Sequence, residues 1–454
     1  MMREPAPVTP PVVLTIAGSD SGGGAGIQAD LKTIEAGGAF GTSAITSVTA
    51  QNTQGVASTH ALPVAEIEAQ CDAVFSDFDV AALKTGMLGT RAIVELVTEQ
   101  VRQAAVPAVV DPVMVAATGD RLLDTEAEAA YEELIGESTL VTPNVDETEV
   151  LLGRTVETVE DARAAGEDLL DLGVEGALVK GGHLPGEAVV DVLVTEQSVE
   201  TFHHPRVDTD ATHGSGCTLS SAIATRLAHG DDLPDAVETG IDLLGRAVRY
   251  ALDVGGGPGS VHHTVGLRDR AEREGISERV RSVVRAFLDR DVSPLVPEVG
   301  MNVVGATPYA EVPAECAAVD GRISRTLNGV EATGSVRFGA SDNVARVLIA
   351  ARERDPDLQF AVNCRFDETV RDALEAVDWP TAEYDPEASA DRDGADRIRS
   401  MRRGIEDAIL AAEEPPVAVC NHADVGIEPT LLLLAPDEST IVERTGALLE
   451  AVEG

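Results

Sequence analysis

From Val12 to about Tyr250, short apolar runs alternate with segments of helical period. The runs are Val12–Ala17, Ala44–Thr49, Val80–Lys84, Ala108–Asp111, Thr139–Val141, Ala177–Lys180 and Val189–Thr195. Between them, apolar residues recur at helical spacing over Ala65–Val74, Thr90–Gln103, Glu126–Ile135, Val159–Leu172, Thr218–Ala228 and Ala236–Leu252. This alternation predicts a mainly parallel sheet with helices on both faces. Ligands of such sheets gather at the carboxyl ends of the strands. The glycine-rich and polar junctions fall at those ends: Gly18–Gly26, Gln51–Asn52, Thr85–Met87, Asp111–Pro112, Asn144 and Lys180–Gly182.

The rhythm breaks at residues 255–266, GGGPGSVHHTVG, which reads as a domain end. A first domain is placed at 12–265, a linker at 266–279 and a second α/β domain at 280–454. The charged stretch Leu267–Arg290 has helical period, so it could also open the second domain. No internal repeat relates the halves.

Composition narrows the class. The 454 residues are 44% hydrophobic, ordinary for a globular chain with two or three domains. Apolar runs such as Leu431–Ala435 are too short to span a membrane, and MMREPAPVTPP has no signal core. A cytoplasmic protein is expected. The 78 acidic residues outnumber 34 basic ones, for a net charge of -44. The acids are spread through patterned segments, as on a carboxylate-coated surface working in concentrated salt. A halophilic source follows, and nonspecific nucleic-acid binding is disfavoured. Only Lys32, Lys84 and Lys180 are lysines. The five cysteines are scattered, without a CxxC pair, so neither a disulfide framework nor a zinc site is indicated.

Three stretches carry candidate chemistry. In TIAGSDSGGGAGIQADLKT, Thr15–Thr33, a strand runs through bare glycines into a helix, a geometry that lets backbone approach a ligand. It has neither the P-loop lysine nor GxGxxG spacing, so a plain strand–helix turn explains it equally well. In THGSGCTLSSAIA, Gly214, Ser215, Gly216 and Cys217 lead into an apolar helix. Backbone N–H groups at such a start favour an anion, as phosphoryl transfer requires. The helix end is expected to lower the pKa of Cys217, suiting it to take a hydroxyl proton. A helix cap with a buried thiol is the plain alternative. In TPNVDETEVL, Asn144 and Glu147 could hold Mg2+ against nucleotide phosphates or could simply form a capping box. Lys180 and Asp111 end strands, and Lys180 could pair with phosphate.

GSDSGGGAGIQADLKT, TAQNTQGV, KTGMLG, VVDPVM, TPNVDETEVLLG, LVKGGH and THGSGCTLSSAIA together resemble the hydroxymethylpyrimidine/phosphomethylpyrimidine kinases, of the ribokinase-like superfamily. The likeness runs in order from Val12 to His263. It implies a ribokinase-like α/β fold and two ATP-dependent, Mg2+-assisted phosphorylations, of 4-amino-5-hydroxymethyl-2-methylpyrimidine and then of its monophosphate. It places Gln51 as the main pyrimidine-binding residue, with Gly18, Asp30, Met87 and Val113 at the pocket. Cys217 falls at the catalytic position, with Gly214–Gly216 as the anion hole. Lys180, Gly182 and Asn144 fall at nucleotide positions, and Glu147 and Asp111 at metal positions. Thr49 stands where some relatives have valine. A pyridoxal kinase is the alternative within the fold; Gln51 and the cysteine of GSGC favour the pyrimidine enzyme.

In the second half, PEVGMNVV, DGRI, FGASDNVAR, NCRFD and GIEPTLLLLAP resemble the ThiN-type thiamine-phosphate synthase domain. That implies condensation of the pyrimidine pyrophosphate with thiazole phosphate. Arg322 matches the family's arginine, but Asn343 fills its histidine position, and asparagine cannot carry charge or move a proton. Asn302, Ser341 and Glu428 complete the candidate site, with Glu298, Asp342, Asn363, Arg346 and Arg365 as further polar groups. A ligand-binding domain that senses thiamine phosphate is the other reading. The expected partners are these small molecules and further copies of the chain in a homo-oligomer, without nucleic acid or membrane.

Overall fold

The computed structural model describes residues 6–114, 128–384, 397–422 and 428–454. The chain forms two compact units, Met1–Gly266 and Leu267–Gly454.

In the first unit the strands are β1 (Val12–Ser19), β2 (Phe40–Asn52), β3 (Gly55–Ala61), β4 (Val80–Thr85), β5 (Ala108–Val110), β6 (Leu140–Val141), β7 (Gly176–Val179), β8 (Ala188–Thr195) and β9 (Val199–Pro205). Its helices are α1 (Gly26–Ala36), α2 (Val64–Phe75), α3 (Arg91–Ala104), α4 (Glu128–Gly136), α5 (Val145–Leu152), α6 (Val159–Leu170), α7 (Ser215–His229) and α8 (Leu233–Arg249). The sheet order is β3-β2-β1-β4-β5-β6-β7-β8-β9. Its centre, β2 to β7, is parallel, and β3, β8 and β9 are antiparallel additions at the edges. Side chains alternate across it. Leu14, Ile16, Leu83 and Val110 pack with α2 to α6, whereas Val13, Ala82, Val109 and Leu178 pack with α1, α7 and α8. Every strand proposed from the apolar runs is present. The edge strands β3 and β9 escaped that reading because β3 is mostly exposed and β9 alternates, so neither forms an apolar run. The first two residues of the helix expected at Glu126–Ile135 lie outside the described residues.

The second unit begins within α9 (Val265–Arg290), a single helix. The stretch 266–279, expected as a linker, is helical throughout. Ile276, Val280, Val283 and Phe287 of α9 are buried in the core of this unit. The other elements are β10 (Val303–Ala306), β11 (Cys316–Val319), β12 (Ile323–Thr326), β13 (Gly329–Ala332), β14 (Val336–Phe338), α10 (Asn343–Arg352), β15 (Phe360–Arg365), α11 (Glu368–Val377), β16 (Thr381–Tyr384), α12 (Arg397–Ala411), β17 (Ala418–Asn421), β18 (Thr430–Ala435) and α13 (Glu438–Glu453). The main sheet runs β14-β11-β10-β15-β18-β17-β16, with β12 and β13 a separate hairpin. Helices α9, α11 and α13 cover one face, and α10 and α12 the other. Among the described residues no helix is long and apolar enough to cross a membrane.

Two asparagines extend this sheet where β10 begins. Asn302, 1% exposed, donates from Nδ2 to the Val319 carbonyl at 3.0 Å and accepts the Val319 N–H on Oδ1 at 3.0 Å. Its own N–H donates to Asn363 Oδ1 at 2.7 Å, and Asn363 Nδ2 donates to the Gly300 carbonyl at 3.1 Å. Asn302→Ala would leave a buried N–H and a buried carbonyl unpaired, a cost of roughly 2–5 kcal/mol. Urea unfolding followed by circular dichroism should show a transition at lower denaturant; an unmoved midpoint would contradict the assignment.

Candidate active site

The glycine-rich loop after β1 closes on a carboxylate of its own. Asp20, 2% exposed, accepts the N–H of Gly22 on Oδ1 at 2.7 Å. Its Oδ2 accepts the N–H of Gly24 at 3.0 Å and of Ala25 at 2.8 Å, and the Gly23 N–H goes to the Asp20 carbonyl at 3.0 Å. The loop amides that could have cradled an outside anion are therefore occupied. His213 joins the same carboxylate, with Nε2 3.2 Å from Oδ2. Burial opposes the charge on Asp20, but His213 and the loop N–H groups outweigh it and hold the carboxyl below its ordinary range.

The open anion site is the start of α7. Gly214 is its N-cap, at φ 84, and gives it no side-chain cap. A Cβ there would collide with the Gly24 carbonyl oxygen, so the two glycine motifs meet directly. The Ser215 N–H returns to the Thr212 carbonyl. The N–H groups of Gly216 and Cys217 have no hydrogen-bond partner among the described residues. With the helix dipole they form a donor pair for a phosphoryl oxygen.

Around this start lies a cavity of about 600 Å³. Gly18, Gln51, Met87, Val113, Asp111, Asn144, Glu147, Lys180, Gly182 and Gly214–Cys217 all line it. Asp30, expected at the pocket, does not. It lies fully buried, accepting Thr15 Oγ1 at 2.6 Å, Ser221 Oγ at 2.9 Å and Lys84 Nζ at 2.8 Å. Lys84, rather than Asp30, reaches the cavity.

Lys180 Nζ stands 3.1 Å from Asp111 Oδ1 and 3.8 Å from Glu147 Oε2. Asn144 and Glu147 form a capping box on α5: Asn144 Oδ1 accepts the Glu147 N–H at 2.8 Å, and Glu147 Oε2 accepts the Asn144 N–H at 2.8 Å. Burial pushes the Glu147 carboxyl up to about 7, with Lys180 opposing and Asp111 adding to the rise. Among the described residues no group of three or more His, Cys, Asp or Glu side chains is arranged to hold a metal. Asp111 Oδ2 and Glu147 Oε1 nevertheless accept no hydrogen bond from the described residues, a pair that fits an ion held mainly by phosphates and water.

Gln51 faces the cavity from the end of β2. Its Oε1 accepts Thr49 Oγ1 at 3.1 Å, and its Nε2 lies 3.4 Å from His213 Nε2. Ser21 Oγ bonds both its carbonyl and its N–H, at 2.6 and 2.8 Å. Sequence reasoning missed Asp20, His213 and Lys84 as parts of the site. The signals were present: Asp20 and His213 lie inside the two glycine motifs, and Lys84 is one of only three lysines.

The state of Cys217 differs from expectation. Burial pushes its thiol up to about 12; Lys84 pulls it down, and Asp30 and Asp111 push it up. Lys84 and the Gly26 N–H, which pull it down, do not offset this desolvation.

In the second unit the candidate residues separate. Arg322 packs against Gly300, and Glu428 accepts the N–H groups of Glu298 at 2.8 Å and Val299 at 3.1 Å. These residues and Asn302 gather beyond the Val319 end of β11. Asn302 and Asn363 are engaged by backbone. Ser341 and Asn343 follow β14, whose continuation at Gly339 bonds the Cys316 carbonyl, at the other end of β11. The two groups thus leave β11 by opposite ends. Arg346 pairs with Asp342 at 2.9 Å at the surface, and half-buried Arg365 pairs with Asp367 at 3.3 Å. Part of GIEPTLLLLAP, residues 426–427, lies outside the described residues.

The other four cysteines are buried and Cys217 is half-buried. Iodoacetamide at pH 8 should therefore modify Cys217 alone in the native protein, and at least about tenfold more slowly than a free cysteine. Rapid modification would contradict the protonated thiol.

Comparison with known proteins identifies the family of each part of the chain. Residues 20–262 match the family model described as phosphomethylpyrimidine kinase, and residues 279–446 that of thiamine-phosphate synthase ThiN. The hydroxymethylpyrimidine/phosphomethylpyrimidine kinase of Streptomyces coelicolor is 47% identical over 258 residues, 57% of this chain and 96% of that protein. The thiamine biosynthesis bifunctional protein ThiED of Geobacter sulfurreducens is 44% identical over 263 residues, 58% of this chain and 54% of that protein. Among solved structures, an ADP complex of Bacillus subtilis pyridoxal kinase superposes with a TM-score of 0.54 at 33% identity, covering 57% of this chain and 99% of that one. The expected α/β fold is that of these kinases. The chain belongs to the phosphomethylpyrimidine kinase family and carries a ThiN-type thiamine-phosphate synthase domain behind its kinase domain.

Proposed function

We propose that the first unit phosphorylates 4-amino-5-hydroxymethyl-2-methylpyrimidine, and then its monophosphate, with ATP as donor. The supporting observation is the uncapped start of α7 carrying Cys217, which shares one cavity with Gln51 and with Asp111, Glu147 and Lys180. Gln51 can both donate to and accept from an aminopyrimidine edge, and Thr49 and Ser21 fix its orientation. The free N–H groups of Gly216 and Cys217 would meet the charge that spreads over the moving phosphoryl oxygens. Lys180 would pair with nucleotide phosphate. Asp111 and Glu147 would hold a magnesium ion arriving with the nucleotide, and that ion would supply charge neutralisation.

Phosphoryl transfer passes a loose transition state, so the substrate hydroxyl loses its proton late. For Cys217 to take that proton its thiol must first ionise, which Lys84 favours and Asp30 and Asp111 oppose. Pyridoxal is the competing acceptor on this fold, and the two-sided hydrogen bonding of Gln51 favours the pyrimidine.

For the second unit we infer a ligand-binding form of the synthase domain that has lost most condensation activity. Asn343 at the family's histidine position supports this, because it supplies neither charge nor a proton at the exposed start of α10. The alternative is an active synthase that consumes the pyrophosphate made by the first unit. The acidic surface supports working conditions of molar potassium chloride.

Cys217→Ser should lower kcat for the pyrimidine by at least about a hundredfold while the KM for ATP stays within a few-fold; unchanged turnover would remove the proton-acceptor role. Supplied with pyrimidine pyrophosphate and thiazole phosphate in molar KCl, the natural protein should form little thiamine phosphate while still binding it, and Asn343→His should form more. Efficient synthesis by the natural protein would establish the active synthase instead.

A further inference from the structure

Lys84 is a buried cation with donors to spare. Both it and Asp30 are 0% exposed, and they meet at 2.8 Å. The carboxylate is filled: Oδ1 also accepts Ser221 and Oδ2 accepts Thr15. The ammonium is not. It has three N–H groups, and Asp30 is its one acceptor among the described residues. Lys84 and Gly86 both line the cavity, and no side chain at Gly86 stands between the ammonium and that space. A Cβ at Gly86 would stand 2.9 Å from Lys84 Nζ. Burial works against the charge, but the carboxylates of Asp30 and Asp111 outweigh it, so the group stays protonated.

The other basic groups of the cavity serve elsewhere. Lys180 stands between Asp111 and Glu147, on the side proposed for the nucleotide phosphates. Arg206 donates to the carbonyls of Gly182, Leu184 and Gly186. His183, His204 and His213 each lie against a carboxylate.

The two proposed acceptors make different demands. The first is a neutral alcohol. The second is a phosphate monoester with a charge near -2 at neutral pH, roughly as for a phosphoserine. Admitting that dianion beside Asp111 and Glu147 needs a cation on the acceptor side. We propose that Lys84, in the cavity wall beneath Gly86, compensates the charge of the acceptor phosphate in the second phosphorylation and so lets one cavity serve both acceptors. This rests on the two-step reading of the first unit. In the second step an oxygen of the acceptor phosphate bonds to the γ-phosphorus of ATP, the bond to the bridging oxygen breaks, and ADP leaves. Lys84 keeps its proton and compensates charge.

The test measures kcat and KM separately for the alcohol and for the monophosphate in the natural protein, Lys84→Met and Gly86→Ala. The Gly86→Ala methyl covers or displaces the ammonium while keeping the Asp30 pair's residues. Because Lys84 also favours ionisation of Cys217, kcat falls for the alcohol too, and the discriminating readout is KM. The KM for the monophosphate should rise at least about tenfold in both variants, with the KM values for the alcohol and for ATP within about threefold. A monophosphate KM that stays unchanged, or that rises no more than the alcohol KM, would overturn the proposal. If Lys84→Met does not fold, as judged by its melting curve, Gly86→Ala decides. Calorimetric titration of that variant with the monophosphate, without nucleotide, should show affinity reduced about tenfold, and unreduced affinity overturns the proposal. A natural protein that phosphorylates the alcohol but not the monophosphate overturns the two-step reading and this proposal together.

Discussion

The site depends on one buried negative charge. Asp20 gathers three N–H groups of the glycine loop and the ring of His213 at a single carboxylate. That fixes the loop, and the fixed loop fixes two further things. Through Ser21 it holds the backbone of Gln51, and through Gly24 it meets Gly214 at the start of α7. The substrate-facing glutamine and the phosphoryl-facing helix end are thereby set against each other. An unpaired carboxylate at this depth would cost several kcal/mol, so the surrounding donors are a condition for the charge to be there.

The same rule repeats around the cavity. Asp30 is neutralised by Lys84 and Asp111 by Lys180, and Asp191 accepts the Gly181 N–H at 2.8 Å with His204 Nε2 3.1 Å away. In a chain of net charge -44, cations are scarce, and the lysines are concentrated here. Lys84 and Lys180 line the cavity, and Lys32 donates to the Gly23 carbonyl at 2.7 Å. Arginine serves instead at surface pairs such as Arg91–Glu95 and Arg102–Glu133. A compact ammonium offers three rotatable donors in a confined space, whereas a guanidinium suits an exposed fork.

Much of the first unit was legible in the sequence because burial on both faces of a parallel sheet writes apolar runs. The site motifs were legible because strand–loop–helix junctions place them at one end of that sheet. What escaped depends on partners distant in sequence. The glycine loop reads equally as a ligand approach or a plain turn until Asp20 is seen to fill it. Cys217 reads as an activated thiol until burial and two nearby carboxylates are added. Asp30 reads as a pocket residue, but Thr15, Ser221 and Lys84 draw it under the floor. In the second unit, Asn302 looks chemical in a motif and proves to be an extension of the sheet. The polar residues of DGRI and FGASDNVAR look like one cluster, whereas the antiparallel register of β11 and β14 sends them to opposite ends.

The central claim is that the phosphoryl group is received at the start of α7, because Asp20 already occupies the glycine loop. The most direct measurement is a crystal structure with ADP and the pyrimidine monophosphate bound. The account predicts phosphate oxygens within hydrogen-bonding distance of the Gly216 and Cys217 N–H groups, with Asp20 still holding Gly22, Gly24 and Ala25. Phosphate seated on the amides of Gly22 to Ala25, with the Asp20 side chain displaced, would contradict it.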